Sequence, residues 1–305
     1  MTTPWYIVVN PVAGQGRAAR LWKQIETALQ ELGFSYSVCF TQYRNHALQI
    51  VDSAVLKGFR HILGVGGDGT CHELVNGILR QPHLPSQEIT FSMLPIGTGN
   101  DWARTYRIPS EPRERLRRLL RGEHTWQDVG KVVYRSGEAV VERYFANVAG
   151  MAYDAYIVQK TERRRFIANF HYLLAMAYYL FAFKPIRGRL QAAECTAEEE
   201  FYTINVGVCR FSGGGMQLVP HAVPNDGLLA VTYAPRLPKW EVLLQTPRFY
   251  RGTLLEHPHI CSFQTTALRV EHLGETSIGL EADGEYLGET PASFSIEKNA
   301  LRIAL

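Results

Sequence analysis

Gly64-Val-Gly-Gly-Asp-Gly-Thr70 poses the first chemical question in this chain. It follows the apolar run His61–Val65 and precedes residues at helical spacing, so the expected context is strand, loop, helix. Glycines at a strand end let the backbone approach a ligand closely and take φ > 0. Their amides, with the N-terminus of the following helix, suit a phosphate group. The terminal Gly-Lys-Ser/Thr of a P-loop is missing, and an Asp interrupts the GxGxxG spacing. That Asp68 is informative. A carboxylate among phosphate-binding glycines repels the phosphate unless a cation lies between them, which implies Mg²⁺, an ion commonly held by one or two carboxylates plus phosphate oxygens. The plainer alternative is a tight turn with Asp68 capping the next helix.

Two further loops follow comparable strands: Asn10-Pro-Val-Ala-Gly14 with Gly16 and Arg17, and Leu94-Pro-Ile-Gly-Thr-Gly-Asn-Asp101. In a parallel sheet all three strands end at one edge, outside which ligands bind. Asn10-Pro11 alone is an ordinary turn opener. Thr98 and Asn100 could be turn formers by themselves; beside the Asp68 loop they become candidate phosphate or nucleotide ligands.

The elements that must position these loops are legible as periodicity. Tyr6–Val9 reads as a strand buried on both faces, Arg17–Leu32 as a helix stopped by Gly33, and Phe34–Phe40 as an alternating strand. Ala47–Leu56 reads as helix, His61–Val65 as strand, Glu73–Leu79 as helix and Ile89–Met93 as strand. Such alternation predicts a parallel sheet with helices on both faces over residues 1–126. From Asp128 onward most segments are short and β-like, which predicts an antiparallel sandwich or barrel over 127–305, interrupted by one helical stretch from Tyr153 to Phe183.

Composition bounds the rest. The chain has 305 residues with 32 basic and 29 acidic side chains, a net charge of +3, and 46% hydrophobic residues. It can bury a core, about 75% of its unfolded surface, in one or two domains. A charge this small excludes a broad nucleic-acid surface. Five cysteines (Cys39, Cys71, Cys195, Cys209, Cys261) form no CxxC pair, which argues against a disulfide framework or zinc site. The N-terminus lacks the features of a signal peptide, and the longest apolar run, Tyr172–Phe183, is well short of the roughly 20 residues that span a bilayer. A cytoplasmic protein is expected.

Asn10-Pro-x-x-Gly14, Gly66-Gly-Asp-Gly-Thr70 with Glu73 and Asn76, and Gly97-Thr-Gly-Asn-Asp-Trp-Ala-Arg104 together resemble the catalytic domain shared by diacylglycerol kinases, bacterial lipid kinases and sphingosine kinases. The resemblance continues through Asn225-Asp-Gly-Leu-Leu229 and Asp283-Gly-Glu285 and so spans nearly the whole chain. It implies a phosphofructokinase-like α/β nucleotide-binding domain and a C-terminal β-sandwich domain, whose last strand could return to the first. ATP and a lipid would meet in the cleft between them. Carried over by residue, it implies nucleotide contacts at Asn10, Thr41, Gly66, Gly67, Asp68, Gly69, Thr70, Cys71, His72, Thr98 and Asn100. It implies a water and Mg²⁺ network of Asp68, Asp101 and Asp128, although Asp128 reads equally as a turn carboxylate. It implies a catalytic base at Asp283 or Glu285, which alternation puts on one side of a strand unless Gly284 makes a turn. And it implies a second, structural site for Mg²⁺ or Ca²⁺ at Val223, Asp226 and Leu228, for which a plain Asn-Asp-Gly turn is the alternative.

From Trp102 to Arg121 seven arginines (104, 107, 113, 115, 117, 118, 121) face only Glu111 and Glu114; with Leu116, Leu119 and Leu120 turned inward, these arginines are expected on the solvent side. Lys160, Arg163, Arg164 and Arg165 precede the Tyr172–Phe183 run. That combination suits either an anionic bilayer surface, at roughly 1 kcal/mol per cation, or the wall of an acyl-chain pocket. The expected enzyme is therefore an ATP-dependent lipid kinase, peripherally membrane-associated, acting on diacylglycerol or a related glycerolipid. The alternatives are an NAD kinase, for which no Gly-Ser-Thr-Ala-Tyr-like segment is found, and a non-catalytic lipid or nucleotide sensor. The sequence leaves the oligomeric state open, a homodimer included.

Overall fold

The apolar run Trp5–Val9 is strand β1, buried along its whole length, in a computed structural model that describes residues 4–161 and 178–305. The chain divides into two compact units, Met1–Val129 with Glu297–Leu305, and Gly130–Ile296. In the first unit strand and helix alternate: β1, α1 (Ala13–Glu31), β2 (Tyr36–Phe40), α2 (His46–Leu56), β3 (His61–Gly66), α3 (Asp68–Arg80), β4 (Thr90–Pro95), α4 (Asp101–Thr105) and α5 (Pro112–Leu119). The strands lie in the order β2-β1-β3-β4, all parallel. The C-terminal residues Arg302 and Ile303 add a further parallel pairing, to Thr90 and Phe91. β1, β3 and β4 are almost wholly buried, as central strands of a parallel sheet must be. The expected helix over 73–79 starts earlier, at Asp68, so the acid of the glycine loop is itself a first-turn residue.

Two expectations fail here. Leu120, expected to turn inward, is exposed. Arg115 is not on the solvent side but wholly buried. Its guanidinium donates to Met93 O at 3.1 Å, to Ala304 O at 2.7 Å and to Ser92 Oγ. Those acceptors come from β4 and the C-terminus, and burial lowers the guanidinium pKa to about 10.

In the second unit the strands are antiparallel. β5 (His124–Ser136) enters it and pairs with β6 (Ala139–Phe145). β7 (Val148–Ala152), α6 (Tyr153–Thr161), β8 (Ile186–Ala192), β9 (Thr196–Gly207), β10 (Phe211–Ser212), β11 (Met216–Gln217) and β12 (Leu229–Pro235) follow. Then come α7 (Lys239–Arg251), β13 (Cys261–Thr265), β14 (Ala267–His272), β15 (Gly279–Ala282) and β16 (Glu285–Ala304). The order β13-β12-β9-β7-β15-β16 carries a core of aliphatic and aromatic side chains, among them Met151, Phe201, Ile204, Val231 and Leu280. Helix α7 lies between the β-like segments Leu228–Tyr233 and Leu268–Glu271, in a domain for which only the Tyr153–Phe183 helix is expected, which is a correction. Its apolar residues share their stripes with Gln245 and Pro247, which hides the period. Of the expected helix from Tyr153 to Phe183, residues 153–161 and 178–182 are helical, while Arg163, Arg164, Arg165 and residues 172–177 lie outside the described residues. Among the described residues no helix is long and apolar enough to cross a membrane.

Candidate active site

The three glycine loops of the first unit are knitted together at the carboxyl ends of β1, β3 and β4. Asn10 donates its backbone N–H to Val65 O (3.0 Å) and its side-chain amide to Thr70 Oγ1 (3.0 Å), which ties the first loop to the second. Ile96 N–H donates to Gly66 O at 2.7 Å, tying the third to the second. Glycine is required at these contacts. A Cβ on Gly14, whose φ is +58°, would stand 2.4 Å from Ile96 O, and one on Gly97 would stand 2.7 Å from the Gly67 Cα. Gly97→Ala should therefore push two backbones apart, costing about 1–3 kcal/mol. Thermal unfolding and nucleotide titration should both weaken.

Asp68 sits in the middle. Its carboxylate accepts the Trp102 N–H at 3.3 Å and the amides of Asp101 and Asn100, so it caps the start of α4 while standing in the first turn of α3. Burial and then the Asp101 charge raise its pKa to about 6, against backbone hydrogen bonds that lower it. Asp68 and Asp101 are neighbouring carboxylates, an oxygen donor set of the kind that holds Mg²⁺ with phosphate oxygens. A small cleft beside them is lined by Gly66, Gly67, Asp68, Cys71, Asn100 and Trp102.

The other expected contacts differ in what they do. Asn100, at φ +51°, braces its own loop by accepting the Gly97 N–H at 2.8 Å and donating to Gly97 O at 3.0 Å. Thr98 is exposed at the tip. Thr41 is placed beside the first loop by its N–H bond to Val9 O, 2.8 Å. Cys71 and His72 are buried within α3. Glu73 accepts the amides of Asn45 (2.8 Å) and Ala47 (3.2 Å), capping α2. Asp128 is buried and accepts the Asn299 N–H at 2.7 Å, which fastens the C-terminal segment to the first unit. Among the described residues no group of three or more His, Cys, Asp or Glu side chains is arranged to hold a metal, so Asp68, Asp101 and Asp128 do not form one cluster.

In the second unit, Asp283 and Gly284 have φ of +51° and +83° and form a two-residue turn, with Ala282 paired to Glu285. The shared strand face expected for Asp283 and Glu285 is thereby replaced by a hairpin. The Asp283 carboxylate accepts two amides, Ala146 and Asn147, each at 2.9 Å. Asp226 accepts the Leu228 N–H at 2.9 Å and the Gln264 side-chain amide at 3.0 Å; Val223 is exposed.

A polar row beside the Asp283 turn is missing from the sequence reading. Thr232, Asn205, Gly150 and Glu281 are aligned in register across β12, β9, β7 and β15. Glu281 accepts the Gly284 N–H at 2.8 Å. Its carboxyl is held well above the usual range, chiefly by burial and then by the charges of Asp154 and Asp283. Gly150 leaves room for it: a Cβ there would stand 2.6 Å from Glu281 Oε1. Asp154 accepts from Thr203 Oγ1, and burial raises its pKa to about 6. Because the folded value lies above the ordinary 3.8, this group's contribution to stability is complete below about pH 4 and is lost as pH rises through 6. Asp154→Asn should gain on the wild type by about 2 kcal/mol between pH 4 and 7, allowing for partial solvent contact. Parallel melting-temperature curves across that range would contradict this. The signal that could have located the row is a charged residue, Glu281, between two apolar neighbours in a strand.

A parallel sheet with glycine loops over a helix N-terminus and paired acids defines an enzyme of the phosphate-transferring class. Residues 4–132 match the diacylglycerol kinase catalytic domain, and residues 147–305 match the YegS C-terminal NAD kinase beta sandwich-like domain. The chain belongs to this family and is a lipid kinase by that membership. A diacylglycerol kinase of Mycobacterium tuberculosis is 26% identical over 300 residues, 97% of this chain and 93% of the relative. In fold, the chain resembles the crystal structure of a diacylglycerol kinase from Bacillus anthracis, with a TM-score of 0.72 at 20% identity over 99% of this chain and 96% of that one. A yeast NADH kinase complexed with NADH is more distant, with a TM-score of 0.50 at 9% identity over 99% and 82%.

Proposed function

We propose that this protein transfers the γ-phosphate of ATP to the hydroxyl of diacylglycerol or a related glycerolipid. The observation that carries the reading is the knitting of three glycine loops around Asp68 at the start of α3. Backbone amides and the helix N-terminus there favour bound phosphate. Gly66, Gly67, Gly69 and Thr70, with Asn10, Thr41 and Thr98 beside them, are the proposed nucleotide contacts. Asp68 and Asp101 would hold a divalent cation, which when bound neutralises charge on the phosphate oxygens. The lipid hydroxyl oxygen bonds to the γ-phosphorus as the bond to ADP breaks, and Asp283 accepts the hydroxyl proton. Asp283 is favoured over Glu285 because two amide donors fix the plane of its carboxylate.

A lipid acceptor is supported by a mostly apolar pocket in the second unit, lined by Tyr233, Ala234, Leu237, Val242, Phe249 and Ile260 among others, with Thr232 and Asn205 from the polar row. A hydrocarbon chain fits such a lining, with a few polar groups to orient its end. Peripheral association with a membrane follows from the same reading, because the acceptor resides there. The test is incubation with labelled ATP, Mg²⁺ and either diacylglycerol vesicles or NAD⁺. Label in phosphatidic acid is expected. Label in NADP⁺ alone, or in neither acceptor, would overturn the reading.

A further inference from the structure

Helix α7 presents apolar side chains on two sides, and none of its residues is buried. Val242, Gln245 and Phe249 follow one side and line the apolar pocket of the second unit. Trp240, Leu243, Leu244, Pro247 and Tyr250 recur every three or four positions along another side, and all are exposed; Trp240 is 63% and Leu244 68% accessible. A surface helix ordinarily gives water its polar face. Here water meets the aromatic and aliphatic one, which marks an interaction surface.

The patch continues beyond the helix. Lys239 donates to the Phe181 carbonyl and its ammonium stands 5.9 Å above the Phe181 ring. That contact brings Phe181 and Tyr178, 60% and 71% accessible, alongside it. The charge is one-sided. The helix carries Lys239, Arg248 and Arg251, and its single acid, Glu241, bonds the buried His257 at 3.0 Å. Arg248 pairs with Glu256, and Arg251 is exposed at the helix end.

We propose that this face, α7 with Tyr178 and Phe181, docks on a bilayer containing anionic phospholipid. Trp240 and Leu244 enter the acyl boundary while Lys239 and Arg251 meet headgroup phosphates. A Trp and Leu stripe bordered by cations is the composition of a helix lying in an interface. A second copy of the chain fits less well, since a two-fold contact would set the same cations against each other. The inference gives the lipid-kinase reading its surface and rests on it for its purpose, but the docking is measured without ATP.

The intact protein should sediment with vesicles of phosphatidylglycerol and phosphatidylcholine and much less with phosphatidylcholine alone. A Trp240→Ser, Leu244→Ser double variant should lose about a hundredfold in partition, two buried side chains' worth. It should keep its melting temperature and its turnover on a dispersed short-chain diacylglycerol. Lys239→Glu with Arg251→Glu should lower binding to the anionic vesicles alone. The docking proposal is overturned if the wild type ignores anionic vesicles, if the double variant sediments like the wild type, or if light scattering shows a dimer that the double variant dissolves without any vesicle binding. Failure of the lipid-kinase reading would appear separately, as absent turnover in a protein that still binds vesicles.

Discussion

Asp68→Asn should lower phosphoryl transfer by about 10²–10³-fold while leaving the protein folded. The amide oxygen of Asn can still accept the Trp102 N–H that Asp68 takes at 3.3 Å, so the start of α4 keeps its cap. What disappears is charge. In the cation-free protein that charge is a burden, since burial and Asp101 together raise the Asp68 pKa to about 6. Removing it should leave the melting temperature unchanged or slightly raised. The rate should fall because the proposed cation loses one of its two carboxylates, and the Mg²⁺ concentration for half-maximal rate should rise. An unchanged rate would take Asp68 out of the chemistry. A large fall in melting temperature would instead assign it to α4 capping alone.

Asp283→Asn should reduce kcat by about 10²–10⁴-fold, the range for loss of a positioned general base. Asn is chosen because it tolerates the φ of +51° at this turn. One of the two amides it faces, Ala146 or Asn147, loses its acceptor, at about 1–3 kcal/mol. Stability should therefore fall modestly, and KM for the lipid should change little. Glu285→Gln should cost less than about tenfold, since a base in the wrong position contributes little. If Glu285→Gln is the crippling change and Asp283→Asn is nearly wild type, the base is Glu285 and the Asp283 carboxylate serves the turn.

What could be read from the chain follows the range of the physics involved. The glycine loops were legible because strand, glycine and helix start are neighbours in sequence, and their meeting follows from parallel strands ending at one edge. Asp283-Gly284 offered two local readings, and the positive φ of both residues decided for the turn. Arg115 misled because a guanidinium beside Leu116 reads as a solvent residue. Its acceptors, Ser92 and Ala304, are 23 and 189 positions away and meet it only once the first unit closes. The row of Thr232, Asn205, Gly150 and Glu281 was out of reach for the same reason, because it exists only through the register of four strands. Helix α7 lay among β-like segments with Pro247 in its interior, so neither period stood out.

The C-terminal strand has a bearing on how the molecule is made. The parallel sheet of the first unit takes its pairing to β4 from Arg302 and Ile303, and Arg115 takes an acceptor from Ala304. On a ribosome these residues emerge about 170 positions after the rest of the first unit, which runs to Val129. Until then the nascent chain carries an apolar strand edge, Thr90–Pro95, and a guanidinium that awaits one of its three acceptors. The first unit is finished only when the second has already been synthesised, so a ribosome stalled before residue 302 would hold a half-built nucleotide fold of the kind that chaperones attend.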